Sequence, residues 1–389
     1  MQAFGKYFAV AALGLGAISD VYASEEFYAT PGSRAMAMGG AFAAFAADSS
    51  SIWYNPAGLG FQAQGTTDFT IEYGDVITGK EELVENEPGD VEIYETDSEV
   101  KYLGFSTHGA GIAYFKPYNF FSNARTTDGD DYLVETTYQE LKFGFGHALN
   151  DGFSIGATLD MIIREGTIID TTCTAFFCAD DTDLESTSFG ATIGALYKTR
   201  LIEKTMTDLQ LSAVYRSGTF GEESYSIEEF EVLPARPTST GFGAALRGPL
   251  TFIPSEWAFY GTITAQYDLS EFDEIIYRGS NEALEIEYTR TSFGLELQII
   301  SPSNHNFFVR AGMSETESDG DSIMLSGSAY NPYASGIETM SYGVGIILGN
   351  ENQFVLDYAI EDREILHDDT TRILDQEESL HSLSLSVLF

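Results

Sequence analysis

The stretch Leu380-His381-Ser382-Leu383-Ser384-Leu385-Ser386-Val387-Leu388-Phe389 alternates with a period of two. Leu383, Leu385, Val387 and Phe389 fall on one face, and Ser382, Ser384 and Ser386 on the other. Successive side chains of a strand point to opposite faces, so this is a strand with one apolar and one polar surface. The same alternation runs through residues 153–161, 293–299 and 354–360. A soluble sandwich alternates in the same way, so the pattern alone leaves two architectures open.

The connections separate them. Strands are expected near 66–77, 99–106, 110–117, 132–147, 152–169, 185–198, 207–218, 238–247, 256–268, 285–299, 306–315, 338–348, 353–361 and 379–389. The gaps between them alternate in length. Long acidic gaps fall at 78–98, 118–131, 170–184, 219–237, 269–284, 316–337 and 362–378. Short links lie between them, such as Thr107-His108-Gly109, Ala148-Leu149-Asn150-Asp151 and Gly349-Asn350-Glu351-Asn352. Long outer loops and short inner turns are the asymmetry of a bacterial outer-membrane barrel, and a sandwich has no reason for it. The expected fold is all-β: a transmembrane antiparallel barrel of about 14 strands spanning residues 65–389. An even strand count returns both ends to the periplasm, where the aromatic Phe389 closes the barrel.

Composition agrees. Gly (38), Tyr (22) and Phe (28) are abundant while Pro (10) and Trp (2) are few, which suits twisted strands with aromatic ends. Mean hydropathy is close to zero, as alternating faces require. No later run is apolar enough for a spanning helix, and only a closed barrel then satisfies every backbone hydrogen bond in lipid. A formal charge of −41 excludes a nucleic-acid partner, since phosphate contacts need Lys and Arg.

The chain opens with Lys6, an uncharged apolar run over 7–18, and Val21-Tyr22-Ala23. That order reads as a secretory signal peptide, residues 1–23, cleaved after Ala23. The run is too short for the roughly 20 residues of an anchoring helix. Ser24, not Cys, follows the cut, which argues against a lipid anchor. Residues 24–64 do not fit the strand pattern: Gly32, Gly39, Gly40 and Gly58 interrupt it, and 41–47 lean helical. A barrel of this size has a lumen that passes water or needs a plug, so 24–64 reads as a hatch folded into it.

Within that segment, Gly32-Ser33-Arg34-Ala35-Met36-Ala37-Met38-Gly39-Gly40-Ala41-Phe42 is similar to the Gly-x-Arg-Ala-x-x-Met-Gly-Gly-Ala-Phe opening of the FadL-type outer-membrane transporters and their PorV-like relatives. Asp48-Ser49-Ser50-Ser51-Ile52-Trp53-Tyr54-Asn55-Pro56-Ala57-Gly58-Leu59 resembles their Asp-x-Ser-x-x-x-x-Asn-Pro-Ala-Gly-Leu signature. Val309-Arg310-Ala311-Gly312 and Leu380–Leu385 resemble the PorV-like tail more weakly. The motif covers about a tenth of the chain, and only the strand layout extends the resemblance further. The resemblance implies a 14-strand barrel with an N-terminal hatch. It also implies passive uptake of long-chain fatty acids or other hydrophobic molecules, or, for PorV-like barrels, service to protein secretion as a binding partner. The hatch-motif candidates are Gly32, Arg34, Met38, Gly39, Gly40, Asp48, Asn55, Pro56, Ala57 and Gly58. Turn chemistry accounts for Asn55-Pro56 without a ligand, because Asn mimics a backbone turn and Pro fixes φ.

The expected surroundings are outer-membrane lipid, lipopolysaccharide and a hydrophobic small-molecule ligand. Glu81, Glu82, Glu85, Glu87, Asp90, Glu92, Glu95 and Asp97 crowd the first long gap, and Asp180, Asp181, Asp183 and Glu185 the third. Such a rim repels a carboxylate over about 8 Å at physiological salt. It points to neutral substrates, a saline habitat, or divalent cations bridging loops to lipopolysaccharide. Asp319-Gly320-Asp321 and Asp128-Gly129-Asp130-Asp131 offer carboxylates for Ca²⁺ but lack a complete ligand spacing, so no cofactor is expected.

Strand parity turns Arg164, Arg216, Arg290 and Arg310 into the lumen, on the face of Asp160, Glu296 and Asp357. They either hold a ligand head group or pair as a ladder that stiffens the wall, polar lumens being usual in barrels. Cys173 and Cys178 suit a short loop disulfide in an oxidising exterior; two thiols alone are too few for a metal. The histidines, His108, His147, His305, His367 and His381, are scattered. No catalytic constellation assembles, so an enzyme is not expected.

Overall fold

The computed structural model describes residues 30–62 and 66–389, except 84–90, 94–98, 117–119, 126–130, 171–181, 204–205, 220–225, 228–229, 232–235, 252–255, 277–282, 304, 321–322, 326–327, 331–335, 350–352 and 370–371. At the outer ends of several strands the backbone alone is described. Residues 1–23, read above as a signal peptide, and both cysteines lie outside the described residues.

Fourteen strands form the wall: β1 (Thr67–Leu83), β2 (Glu99–Thr107), β3 (Ala110–Phe115), β4 (Asp131–Asn150), β5 (Phe153–Asp170), β6 (Thr182–Ile202) and β7 (Thr207–Arg216), followed by β8 (Thr238–Pro249), β9 (Ala258–Ile276), β10 (Ala283–Ile300), β11 (Asn306–Gly320), β12 (Gly336–Leu348), β13 (Gln353–Asp369) and β14 (Arg372–Leu388). Each pairs antiparallel with its sequence neighbours. The ring closes because β1 pairs on one side with β2 and on the other with β14, so Phe69 stands between Phe105 and Val387. Phe389 extends the seam, exchanging main-chain bonds with Thr67 at 2.9 and 3.2 Å. Closure leaves no open edge, the condition for a sheet to stand in lipid.

The short links are built by turn chemistry. His108 and Gly109 both have positive φ (47° and 79°), the mirror-image turn that matches the twist of paired strands. After β4, the Asn150 side-chain oxygen accepts from the Gly152 amide at 2.9 Å, an Asx turn.

At the outer end the strands run further than the alternation indicated. The expected gap 362–378 shrinks to residues 370–371, because β13 continues to Asp369 and β14 begins at Arg372. Main-chain rungs need no apolar face; above the lipid both faces are wet, so the pairing outlives the sequence signal. Small extra ribbons add to this end, such as Phe120–Arg125 against β4.

Outward positions carry an apolar girdle that includes Phe145, Ile193, Phe242, Leu295, Val344 and Leu383, all exposed, whereas inward Ser341, Ser382 and Ser384 are buried. An apolar band outside a closed wall with a polar interior is the construction of a bacterial outer-membrane barrel.

Residues 30–62 make α1 (Ser33–Met36), α2 (Ser51–Tyr54) and a 3-10 turn (Pro56–Phe61). The segment has its own core: Ala35, Met38, Phe42, Phe45 and Tyr54 cluster against Ala245 of β8. Phe42 meets Phe45 and Tyr54 edge-on at 5.7 and 5.4 Å. Ile52 and Leu59 pack with Tyr102, Ala113 and Phe115 of β2 and β3. The helical leaning of 41–47 is not realised. The Phe42 and Ala43 amides donate instead to Gln266 Oε1 of β9, at 3.1 and 2.9 Å, which leaves them in a turn.

Candidate functional site: the barrel interior

The wall side chains that bond to residues 30–62 come from strands around the whole ring. Gly32 takes φ +95°, and its amide donates to Glu72 of β1 at 2.6 Å. Ser382 of β14 also donates to Glu72 and shares a 2.7 Å bond with Ser33. Thr30 Oγ1 donates to Glu361 of β13 at 3.2 Å. Arg34 makes a two-pronged bond with Glu296 of β10, both contacts at 3.0 Å. Its guanidinium also lies 4.7 Å from the Phe45 ring centre and 5.5 Å from that of Phe42.

The motif glycines and the Asn-Pro pair seat the segment. Gly39 and Gly40 have φ +64° and +78°, the left-handed region in which a side chain costs roughly 1–2 kcal/mol. The Gly39 amide donates to Ser341 of β12 at 3.0 Å, and its carbonyl accepts from Arg290 of β10 at 3.3 Å. A Cβ on Gly39 would stand 2.7 Å from the main chain of Met313, and one on the facing Gly312 would strike Gly39 itself. Met38 is fully buried between them and the core. Asp48 Oδ1 accepts from the Ser50 amide at 3.0 Å and starts the α2 turn. Asn55 Oδ1 accepts from the Ala57 amide at 3.1 Å, while its Nδ2 donates to Ala43 O and to Ala195 O of β6, at 3.2 and 3.1 Å. Pro56 occupies the first position of the 3-10 turn, where its missing N–H is no loss. Ala57 O accepts from Ser154 of β5 at 2.7 Å, and a Cβ on Gly58 would strike Ala46 O.

The lumen candidates divide between wall and segment. Arg310 donates to Glu296 at 2.8 Å and to Asp357 of β13 at 2.5 Å, so Glu296 is shared by Arg310 and Arg34. Asp160 of β5 pairs with Lys142 of β4 and with Arg236, at 3.1 and 2.7 Å. Arg216 instead caps the end of α2, donating to Trp53 O and Tyr54 O at 3.1 and 3.3 Å. Arg290 bonds Gly39 O and Ser314. The Arg164 side chain lies outside the described residues, as do the disulfide candidates Cys173 and Cys178 and the side chains of both Asp-Gly-Asp stretches. Among the described residues no group of three or more His, Cys, Asp or Glu could hold a metal ion.

Sequence reasoning did not single out Glu72, Glu140, Lys142, Gln266, Glu361 or Arg236. The first five sit on inward positions of strands, so the parity that found Asp160 reaches them as well. Arg236 precedes β8 and carries no such signal. The wall glycines that face the segment carry no local signal either. A Cβ on Gly156 would strike Pro56 and Ala57, and one on Gly194 would strike Asn55. Bare backbone there lets the segment approach.

No family model matches the chain, and no curated protein sequence matches it. Solved structures do. A TodX monoaromatic hydrocarbon channel (a deltaS2 mutant) is 14% identical, covers 94% of this chain and 99% of its own, and superposes with a TM-score of 0.55. The P. putida toluene transporter TodX is 12% identical over 91% of this chain and 97% of its own, with a TM-score of 0.51. A Pseudomonas aeruginosa FadL homologue is 14% identical over 96% and 98%, with a TM-score of 0.48. The two TodX structures are named as a toluene transporter and a monoaromatic hydrocarbon channel, and nothing among these structures supports the secretion-partner alternative. The closed ring of fourteen strands, its lipid-facing girdle and the two TodX superpositions together give the chain the FadL-like fold of a bacterial outer-membrane barrel.

Proposed function

We propose that this barrel is a passive outer-membrane channel for hydrophobic small molecules, of hydrocarbon or long-chain fatty-acid type, and that residues 30–62 are its hatch. The observation that carries the reading is how the segment is held. Side chains from β1, β7, β9, β10, β12 and β13 bond it, many of them to its main chain, and a β6 carbonyl accepts from its Asn55. Bonds of this kind contribute about 0.5–1.5 kcal/mol each, more where a charge is involved, and can be exchanged one by one. A folded plug on replaceable polar bonds suits a gate better than a fused wall. An apolar solute that is excluded by the polar lipopolysaccharide surface gains a route past it. The TodX structures, described as a toluene transporter and a monoaromatic hydrocarbon channel, support the substrate class.

Native mass spectrometry on the detergent-purified barrel tests this. We expect a bound apolar molecule, co-purified or taken up from added toluene or oleate. Its retention falls when Asn55 and Pro56 are both replaced by Ala. A barrel that carries nothing and takes up neither compound rules the channel reading out.

A further inference from the structure

Arg247 of β8 is an interior arginine held by an amide rather than by a carboxylate. Its Nη2 donates to Gln298 Oε1 of β10 at 2.5 Å, and Gln298 Nε2 donates in turn to Asn306 Oδ1 at 3.2 Å. Among the described residues it makes no ion pair. Register shows the imbalance this leaves. Arg200, Asp208, Arg247, Thr262, Glu296 and Arg310 are cross-strand partners in turn, one row along β6 to β11 on the inner face. Asp208 is taken by Arg200 at 3.3 Å, and Glu296 by Arg34 and Arg310. With Asp357 on Arg310, the row and its bonded partners hold four arginines against three carboxylates. The chain as a whole has 19 basic and 60 acidic residues, so a local excess of positive charge at a half-buried place runs against its composition. Charges withdrawn from water are ordinarily paired.

The surroundings define what anion would fit. Arg247 lies two residues from the inner end of β8, and Gln298 and Asn306 lie at the inner ends of β10 and β11, which puts the guanidinium at the periplasmic end of the lumen. It stands 5.8 Å from the Phe45 ring centre, and the Arg34 guanidinium stands 4.7 Å from the same ring. The Arg34 side chain is 28% exposed, and it spends Nε and Nη2 on Glu296, which leaves Nη1 unused. Phe308 adds a second ring, 5.9 Å from Arg34. Tyr260 of β9 is the cross-strand partner of both Gln298 and Pro249, and its half-buried hydroxyl has no bond among the described residues. A guanidinium edge matches the two oxygens of a carboxylate, and the rings beside it suit the adjoining carbons.

We infer that Arg247 anchors a carboxylate site at the periplasmic end of the lumen, with Arg34 and Tyr260 as further donors, and that the site takes an alkyl or aryl carboxylic acid by its head group. The acidic outer gaps do not oppose it, because their repulsion is screened within about 8 Å at physiological salt. Binding stands on the geometry of the wall; its part in passage rests on residues 30–62 being a hatch.

Octanoate and 1-octanol share a chain length and differ in charge, so calorimetric titration of the folded, detergent-purified barrel with each tests the site. The parent is expected to bind octanoate. Arg247→Gln is expected to weaken that binding at least ten-fold and to leave 1-octanol unchanged. A parent that does not bind octanoate overturns the site, and so does an R247Q barrel that binds it as the parent does. An equal loss for both ligands also overturns it, since that marks lost packing. Where R247Q does not fold, R247K keeps the charge without the fork: octanoate binding at least three-fold weaker is expected, and an unchanged affinity overturns the site. Toluene separates this inference from the channel reading. Toluene retained by a barrel whose octanoate binding ignores Arg247 leaves the channel and removes the site. Octanoate binding that depends on Arg247, in a barrel that admits neither toluene nor octanoate to cells, leaves the site and removes the channel.

Discussion

Glu296 shows how a single carboxylate can hold two elements of this protein together. It accepts from Arg34 of the segment and Arg310 of β11, and it has no solvent to replace either partner. Breaking a buried ion pair from one side is costly because the remaining charge stays buried. Glu296→Gln is therefore expected to destabilise the folded barrel by about 3 kcal/mol, with Arg310 retaining Asp357 as its partner. The check is the urea midpoint of the band that migrates fast on unheated gels; an unshifted midpoint would show that the pair contributes little. Arg34, Glu296, Arg310 and Asp357 were all legible as candidates, from motif or parity. Their convergence was not, since Arg34 and Glu296 lie 262 residues apart in sequence.

At the scale of elements, the N-terminal segment is an irregular body held in shape by caps and turns rather than by long helices. Its helices have four residues each, too short to persist alone, so their geometry depends on capping and on the wall. Asn55 does most of this locally, with bonds to Ala57 and Ala43 inside the segment and one outward to Ala195 of β6. Asn55→Ala is expected to cost the segment roughly 1–3 kcal/mol through polar groups left unpaired. Limited proteolysis should then cut within 30–62 while the barrel keeps its folded migration; a variant as resistant as the parent refutes the role. The sequence indicated a turn at Asn55-Pro56 correctly. The turn at 41–47 was misread because the residue that decides it, Gln266, is on the far wall.

For the whole molecule the controlling fact is which face of the wall meets lipid. Val344 and Glu338 lie on the same outward face of β12, Val344 within the apolar band and Glu338 above it. Arginine at the bilayer midplane of such a barrel costs about 2–4 kcal/mol and close to nothing near the interface. Val344→Arg should accordingly lower the unfolding free energy in lipid bilayers by about that amount, and Glu338→Arg should leave it nearly unchanged. Equal effects would mean that the band is misplaced. Strand number, order of long and short connections and the lipid-facing side were all determined by the sequence, because each rests on local rules: period two, turn residues, and the need to close the sheet in lipid. Strand ends above the membrane were not, because pairing there has no apolar face to leave a trace. What tertiary structure alone decided is how the interior is filled. Gly312 seats Gly39, Gly194 makes room for Asn55, and Lys142 and Arg236 share Glu140 and Asp160. These are contacts between residues far apart in the chain, and their partners are chosen by the curvature of a closed wall, which no local pattern encodes.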